Sequence, residues 1–223
     1  MALERPKSLR ELALESLRNS IVDGSLKMGQ TLSERGISEE LGVSKSPVRE
    51  ALAQLRDEGL VTIEPQKGAR VFTLSDLEVA QICDFRQAIE TAAFELALKR
   101  NPKGLVSDMN LVVEEMRATR GGKNEKKYLQ LDTEFHHLIF VHAENHYLTA
   151  SYTRYEGKIA ALRTHLAKLP QHTDLSFEEH VSLLSAVRDG DMDVIRTLLG
   201  QHIDRTRQAY ESAAIVLEAS VIA

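Results

Sequence analysis

Apolar residues recur at helical spacing almost from the start of this chain, and polar caps and glycines cut the pattern into segments. Leu9, Leu12, Ala13, Leu17 and Ile21 keep a helical period, which predicts a helix over Ser8 to Asp23 that Gly24 stops. Leu26 to Thr31 reads as a short extended connection, and Ser33 to Leu41 as a second helix with Ile37 and Leu41 facing inward. A tight Gly42-Val43 turn follows. Val48, Ala51, Leu52 and Leu55 then repeat at i, i+3, i+4 and i+7, the stripe of a third helix that Ser44 or Ser46 can cap and whose first turn tolerates Pro47. Beyond Gly59, Leu60-Val61-Thr62-Ile63 reads as a strand, Pro65-Gln66-Lys67-Gly68 as a turn and Ala69-Arg70-Val71-Phe72 as the returning strand. Two short helices at a tight turn, followed by a two-stranded wing with Lys67 and Arg70 near its tip, make a winged helix-turn-helix.

Thr73-Leu74-Ser75 is the expected hinge, which divides the chain into residues 1–74 and 75–223. Everything after it reads as helix. Asp76 to Arg100 is one long pattern with Ile82, Phe85, Ile89, Ala93 and Leu96 on one face, broken by Asn101-Pro102. Leu105 to Arg120 follows, closed by Gly121-Gly122, then Glu125 to Glu144. Asn145 can cap a fourth helix that runs to Leu169, before Pro170. Ser176-Phe177-Glu178-Glu179 reads as a capping box for a fifth, ended by Gly190, and Asp191 opens a sixth that reaches Leu217. The expected fold is therefore mainly α: a winged helix-turn-helix, then an all-α antiparallel helical bundle.

Charge changes the picture only when it is divided. The chain carries a formal net charge of −5, yet residues 1–74 hold 11 Lys or Arg and 11 Asp or Glu, so the whole deficit lies in the second segment. The first segment is neutral overall, with cations on its reading edge: Lys45, Ser46 and Arg49 fall off the apolar stripe near a helix N-terminus, where hydroxyls and cations suit a DNA groove and its phosphates. Cys83 stands alone, so there is no disulfide framework. No apolar run is long enough to span a bilayer, and Met1 to Arg10 leads into an amphipathic helix rather than an apolar block. A cytoplasmic location is expected, with no membrane partner.

The candidate chemistry of the second segment is a set of histidines. Asp132 and His136 lie four apart on one helix and share a face. His180 sits on the stripe of Phe177, Leu184 and Val187, and His202 on that of Ile195, Leu198, Leu199 and Thr206. One carboxylate and three imidazoles converging inside a bundle suit a divalent transition metal with positions left open, whether zinc, nickel, iron or manganese. Against this stands an ordinary salt bridge for the Asp-His pair, and packed core residues for the inward histidines. His142 and His146 form a rival pair, weakened because Asn145 caps the next helix between them. His-Ala-Glu-Asn-His is not a zinc-protease arrangement, which needs Glu directly after the first His. Arg86 is a candidate to grip a carboxylate bidentately, or else pairs with Glu90 four residues on; Arg163 is a second candidate, or else a solvated mid-helix arginine.

Two stretches carry a resemblance. Leu32-Ser33-Glu34-Arg35, Leu41-Gly42-Val43-Ser44-Lys45-Ser46-Pro47-Val48-Arg49-Glu50-Ala51-Leu52, Leu55, Glu58-Gly59-Leu60-Val61 and Gly68 resemble the winged-helix head of the GntR transcriptional regulators. The resemblance implies DNA contacts at Arg35, Ser44, Lys45, Ser46, Arg49, Lys67 and Gly68. Two departures stand out: Lys45 occupies a position where Arg is usual, which turns a bidentate contact into a point charge, and Gly36 loosens the first reading helix by up to about 1 kcal/mol. Arg86 to Glu90, Asp132 to His136, Asn145 to Leu148, Glu179-His180, Gly190-Asp191 and His202 resemble the helical ligand-binding domain of the family's FadR branch, in its shorter, VanR-like six-helix version. That likeness implies a metal on Asp132, His136, His180 and His202, a small carboxylate effector completing its shell, and a homodimer on a near-palindromic double-stranded operator. A metal-dependent hydrolase would need a general base beside the metal, for which no spare carboxylate stands at the right spacing. A bundle that only dimerises, with His and Asp as polar core, is the other alternative.

Overall fold

The computed structural model describes residues 6–64, 68–120, 124–169 and 171–221, with side chains up to residue 212. Pro65, Gln66 and Lys67 of the expected wing turn, the glycine pair 121–122 and Pro170 lie outside the described residues. The chain divides into two compact units, Met1–Thr73 with Gly157–Ala161, and Leu74–Glu156 with Leu162–Ala223.

In the first unit, helix α1 (Leu9–Val22) opens on a capping box: Ser8 Oγ accepts from the Glu11 N–H while the Glu11 carboxylate accepts from the Ser8 N–H. Its buried face of Ala13, Leu14, Leu17 and Ile21 packs on α3 (Lys45–Asp57), which buries Val48, Ala51, Leu52 and Leu55. Each such leucine contributes about 1.5–3 kcal/mol on full burial. Helix α2 (Glu34–Leu41) is capped by Ser33, whose Oγ accepts from the Gly36 N–H. It ends at Gly42, which takes the left-handed conformation at φ 64° and donates its N–H to the Ser38 carbonyl. That single residue turns the chain from α2 into α3. Ser44 occupies the cap of α3 without a side-chain bond, and Ser46 Oγ donates instead to Glu50 at 3.3 Å.

The wing is larger than the two strands expected. Strand β1 (Thr31–Leu32) pairs antiparallel with β3 (Gly68–Val71), which pairs in turn with β2 (Val61–Glu64), giving the order β1-β3-β2. Thr31 stands opposite Arg70, and Leu32 opposite Ala69. A strand of two residues shows no alternation, so the extended connection gave no sign of pairing; burial of Leu32 holds it in place.

The elements of the second unit among its described residues are helices: α4 (Asp76–Arg100), α5 (Pro102–Thr119), α6 (Glu125–Ala143), α7 (His146–Leu166, apart from Gly157–Ala161), α8 (His172–Asp189) and α9 (Met192–Val221). Ser75 and Glu78 form a capping box for α4, Pro102 takes the first turn of α5 after the Asn101 cap, and the Asn145 side chain accepts from the Tyr147 and Leu148 N–H groups at the start of α7. Helix α4 packs on α6 and α9, α5 on α6 and α8, and α8 on α9. Two expectations are corrected here. Helix α8 begins at His172 rather than at a Ser176 capping box, because Ser176 lies one turn inside it with its Oγ donating to Asp132 Oδ1 at 3.3 Å. Ile89 and Ala93 of the expected α4 face are buried, but the buried residues also include Val79, Cys83, Arg86, Glu90, Phe94 and Ala97, while Ile82, Phe85 and Leu96 are half-buried. Two charged residues in the buried set disguise it in a hydrophobic pattern.

Gly36 and Gly42, six residues apart, give opposite predictions. Gly36 sits in ordinary helical backbone, where a Cβ would meet Ser33 Cβ at 3.6 Å, a normal contact, so Gly36→Ala should stabilise the first unit by about 0.5–1 kcal/mol. Gly42 has open space around it but a positive φ, so Gly42→Ala should destabilise by about 1–2 kcal/mol through backbone strain alone. Urea-denaturation midpoints of the two variants check both signs.

Candidate functional site

Two groups of residues can carry function, one in each unit. In the first unit Arg35, Ser44, Lys45, Ser46, Arg49 and Gly68 are all exposed. Ser44 to Arg49 share the start of α3 and Gly68, at φ 89°, begins β3. The two arginines are occupied. Arg35 Nε donates to Glu39 at 2.8 Å, while Arg49 donates through Nε and Nη2 to the two oxygens of Glu34 at 3.2 and 2.9 Å. That bond draws the Glu34 carboxyl below its ordinary pKa. Arg70, expected near the wing tip, turns its Nη1 back to the Gly29 carbonyl at 3.0 Å.

In the second unit α6, α8 and α9 each bring one imidazole to a common point. His136, His180 and His202 are buried, and one nitrogen from each lies within 4.8 Å of the others. His136 Nε2 and His180 Nε2 stand 3.3 Å apart. The ring centroids of His202 lie 5.1 Å from those of His136 and 4.9 Å from those of His180. The far nitrogens are held from outside. His136 Nδ1 meets Glu90 Oε2 at 2.7 Å, and His202 Nδ1 meets Glu179 Oε2 at 2.7 Å. Each carboxylate is itself paired: Arg86 Nε donates to Glu90 at 2.7 Å, and Arg205 donates to both Glu179 oxygens at 2.6 and 2.7 Å. An imidazole whose Nδ1–H donates to a carboxylate presents a lone pair at Nε2.

Asp132 lies beside this group. Its Oδ1 is 3.6 Å from His180 Nε2, and its Oδ2 is 2.9 Å from Arg163 Nε, an ion pair without hydrogen-bond alignment. The two candidate arginines differ in what they have left. Arg86 is fully buried, with Nε on Glu90 and Nη2 3.5 Å from both His136 nitrogens. Arg163 is buried too, but its Nη1 and Nη2 have no partner among the protein's own atoms. It lines a pocket with Asp132, His172, Ser176, His202 and Arg205, whose free space of about 10 Å³ suits a single water. The rival pair is taken apart by the fold. His142 is tied to Asp108 at 3.0 Å and to Asn101 at 3.0 Å, whereas His146 is exposed at the start of α7.

Electrostatics follow from this burial. Desolvation pushes His136 well below its ordinary pKa, helped by the Arg163 and Arg86 charges; it lowers His180 to about 3 despite Asp132, and lowers His202 although Glu179 opposes it. Burial works against the Asp132 carboxyl, but Arg163 and the imidazoles outweigh it and hold its pKa well below the usual carboxylate range. Glu179 also resists burial, and bonds from His202 and Arg205 bring it down to about 2. Three neutral imidazoles among fixed carboxylates form a donor set suited to a divalent transition metal, since nitrogens about 2.0–2.1 Å from one ion stand roughly 3 Å apart. The residues present fit such an ion.

The sequence missed the partners more than the ligands. Glu90 was visible only as an i, i+4 mate for Arg86, Glu179 only as the neighbour of His180, and Arg205 and His172 carried no signal. Glu34 gave none either, because its partner Arg49 is fifteen residues away on another helix.

Residues 9–71 match the bacterial regulatory proteins of the gntR family, and residues 81–205, more than half of the chain, match the FCD domain. The gluconate operon transcriptional repressor of Bacillus licheniformis is 28% identical over 193 residues, covering 84% of this chain and 79% of that protein. The HTH-type transcriptional repressor RspR of Escherichia coli K12 is 25% identical over 193 residues, covering 86% and 85%. Among solved structures, E. coli McbR/YncC superposes with a TM-score of 0.80 at 20% identity over 93% of this chain and all of that one, a likeness of fold. These relatives are regulators rather than enzymes, which sets the hydrolase alternative aside. No helix among the described residues is long and apolar enough to cross a membrane. Matched by the gntR family at its helix-turn-helix and by the FCD domain at its histidine-bearing bundle, the chain belongs to the GntR family of DNA-binding transcriptional regulators, in the FadR-like branch.

Proposed function

We propose that residues 1–74 grip operator DNA and that residues 75–223 form a homodimer whose histidine site holds a divalent metal and a small carboxylate effector. The observation that carries the sensing half is the meeting of three buried imidazoles, two of them oriented from behind by Glu90 and Glu179. His136, His180 and His202 are the nitrogen ligands of this reading, and Asp132 the oxygen ligand, 3.6 Å from His180 Nε2. A bound ion supplies a fixed positive charge for an acidic ligand. The protein's own contribution is orientation: Glu90 and Glu179 fix the ring tautomers, and Arg86 and Arg205 fix the carboxylates. Zinc, nickel, iron and manganese all accept this donor set.

Arg163 is the better of the two effector arginines, a reversal of their order in sequence. Its Nη1 and Nη2 are buried donors with nothing in the protein to meet, whereas Arg86 already serves Glu90. A buried donor left unpaired costs about 1–3 kcal/mol, so a carboxylate there would recover that energy. The effector changes DNA binding only through unequal affinity for two arrangements of the dimer.

On the DNA side, Arg35, Ser44, Lys45, Ser46, Arg49 and Gly68 form the reading surface, with Lys67 at the wing tip beyond the described residues. Each recognition helix enters a major groove, one helical turn from its partner's.

Four measurements test the proposal. Arg49→Ala should weaken binding to a duplex enriched from a random library by the wild-type protein by about tenfold or more at fixed salt, corresponding to about 1–3 kcal/mol. Undiminished affinity would remove the recognition-helix claim. Elemental analysis after dialysis against zinc or nickel should find a stoichiometric ion in the wild type and little in His180→Ala or His202→Ala; equal metal in all three sinks the site. Chelator should lower the melting temperature by roughly 5–10 °C, the effect of losing a ligand held at about a hundred times its Kd.

The fourth is a pH series on the metal-free protein. His180 has a folded pKa of about 3 against an ordinary value of 6.5, so the unfolded chain takes up its proton first as pH falls. The stability from its neutral form is fully present above 6.5 and is lost progressively below it, down to about 3. His136 and His202 act in the same direction. Melting temperature should therefore drop by several degrees between pH 7.5 and 5, and less steeply in His180→Asn. Parallel curves for the two proteins would contradict a neutral buried His180.

A further inference from the structure

The pair formed by Arg49 and Glu34 has a geometry that a solvated surface pair does not need. Glu34 is the first residue of α2 and Arg49 the fifth of α3, so the contact joins the two helices across the Gly42 turn. It is bidentate, with Nε on Oε1 at 3.2 Å and Nη2 on Oε2 at 2.9 Å. Arg35 and Glu39, by contrast, meet through a single 2.8 Å bond along one helix, with side chains 78% and 64% exposed.

A guanidinium has two forked faces, one made by Nε and Nη2 and the other by Nη1 and Nη2. Glu34 takes the first. The second keeps its N–H groups, and the Arg49 side chain remains 68% exposed. An arginine so held keeps its end-on face pre-set for a guanine edge, whose O6 and N7 lie in the major groove. The same carboxylate sets a negative charge where a phosphate of any sequence would otherwise approach the side-on face. Both effects favour discrimination over bare affinity.

We infer that Glu34 is a positioning residue of DNA recognition: it fixes Arg49 for base reading and keeps that arginine from indiscriminate phosphate contact. The inference rests on the proposal that α3 reads DNA, and Arg49→Ala, which tests that proposal, is one arm of the experiment. An exposed pair of this kind is weak enough to be adjusted on docking and strong enough to bias it.

The test uses the full chain, fluorescence anisotropy at several salt concentrations, and two duplexes. One is enriched from a random library by the wild-type protein; the other is the same duplex scrambled. Glu34→Gln should bind the scrambled duplex about twofold to fivefold more tightly, with no matching gain on the enriched one, so that the ratio of affinities falls. The scrambled duplex should also show a salt slope steeper by up to about one, from the added phosphate contact. Glu40→Gln removes the same charge from the same helix at an exposed side chain and should leave the ratio unchanged. Glu34→Asp keeps the charge and the acidic first turn, but its shorter arm no longer spans both arginine nitrogens, and it too should lower the ratio. In an Arg49→Ala background, Glu34→Gln should lose its effect on the ratio. Equal gains on both duplexes, a shift in ratio with Glu40→Gln, a wild-type ratio in Glu34→Asp, or a persistent effect without Arg49 would each overturn the positioning role. If Arg49→Ala itself leaves enriched-duplex binding intact, it is the reading of α3 that has failed.

Discussion

Three imidazoles in one desolvated volume set the terms for the helical unit. A ring buried with an unmet nitrogen costs free energy, and a ring buried with a proton costs more. The fold meets the first cost for two rings by giving His136 and His202 a carboxylate each, leaves His180 Nδ1 without a partner in the protein, and avoids the second by lowering all three pKa values. Those carboxylates are buried or half-buried, so they need cations in turn, and Arg86 and Arg205 supply them. The network therefore grows outward in alternating charge until it reaches solvent. From His202 it passes through Glu179 and Arg205 to His172, whose Nδ1 lies 3.0 Å from Arg205 Nη1. Every helix that bears one of these residues is tied to the centre by polar contacts as well as by packing. A network of this kind is stabilising only while it is complete.

The same residue pair has different meanings in the two units. Arg86 with Glu90 and Arg49 with Glu34 are both arginine–glutamate contacts below 3.3 Å. The first is sealed from solvent and cannot be exchanged without leaving a buried charge, a loss of several kcal/mol. The second stands in water, where screening leaves it a fraction of that. Permanence suits a scaffold for a metal. Exchangeability suits a surface that must trade solvent and counterions for DNA. Neutral overall charge in residues 1–74 is consistent with this division, because the cations on the reading edge are balanced by glutamates close by on α2.

The sequence disclosed most where local chemistry decides the outcome. Ser8, Ser75, Asn145, Gly42 and Gly190 mark helix ends because each satisfies a backbone group or adopts a positive φ by itself. His180 and His202 could be placed inside because each shares a stripe with aliphatic neighbours. Long-range pairing was not disclosed. The short strand β1 exists only because β3 comes back to it, and Ser176 lies inside α8 because Asp132 takes its hydroxyl. Helix α4 was only half legible: Ile89 and Ala93 of its expected face are buried, but Arg86 and Glu90 are buried too, while Ile82, Phe85 and Leu96, which the hydrophobic period selects, are half-buried. Buried charge is illegible to a pattern that assumes charges face water. It becomes legible only once the partners, His136 among them, are seen to converge.

Arg163 shows how a hydrogen-bond deficit can go unseen by a charge count. By charge alone it is accounted for, since Asp132 lies 2.9 Å from its Nε. By hydrogen bonds it is not, since the two terminal nitrogens are buried and meet nothing in the protein. An internal salt bridge built only for stability would orient the guanidinium to use its fork, as Arg205 does with Glu179. Arg163 instead offers Asp132 one nitrogen at poor alignment and leaves the other two without a partner in the protein, on a side chain that lines a pocket with His202 and Ser176. Beside three metal-capable imidazoles, those two unmet nitrogens are the support for the proposal of an acidic ligand there. Asp132 then serves two neighbours at once, fixing the arginine on one side and facing His180 on the other, so that loss of its carboxylate would disturb both halves of the proposed pocket.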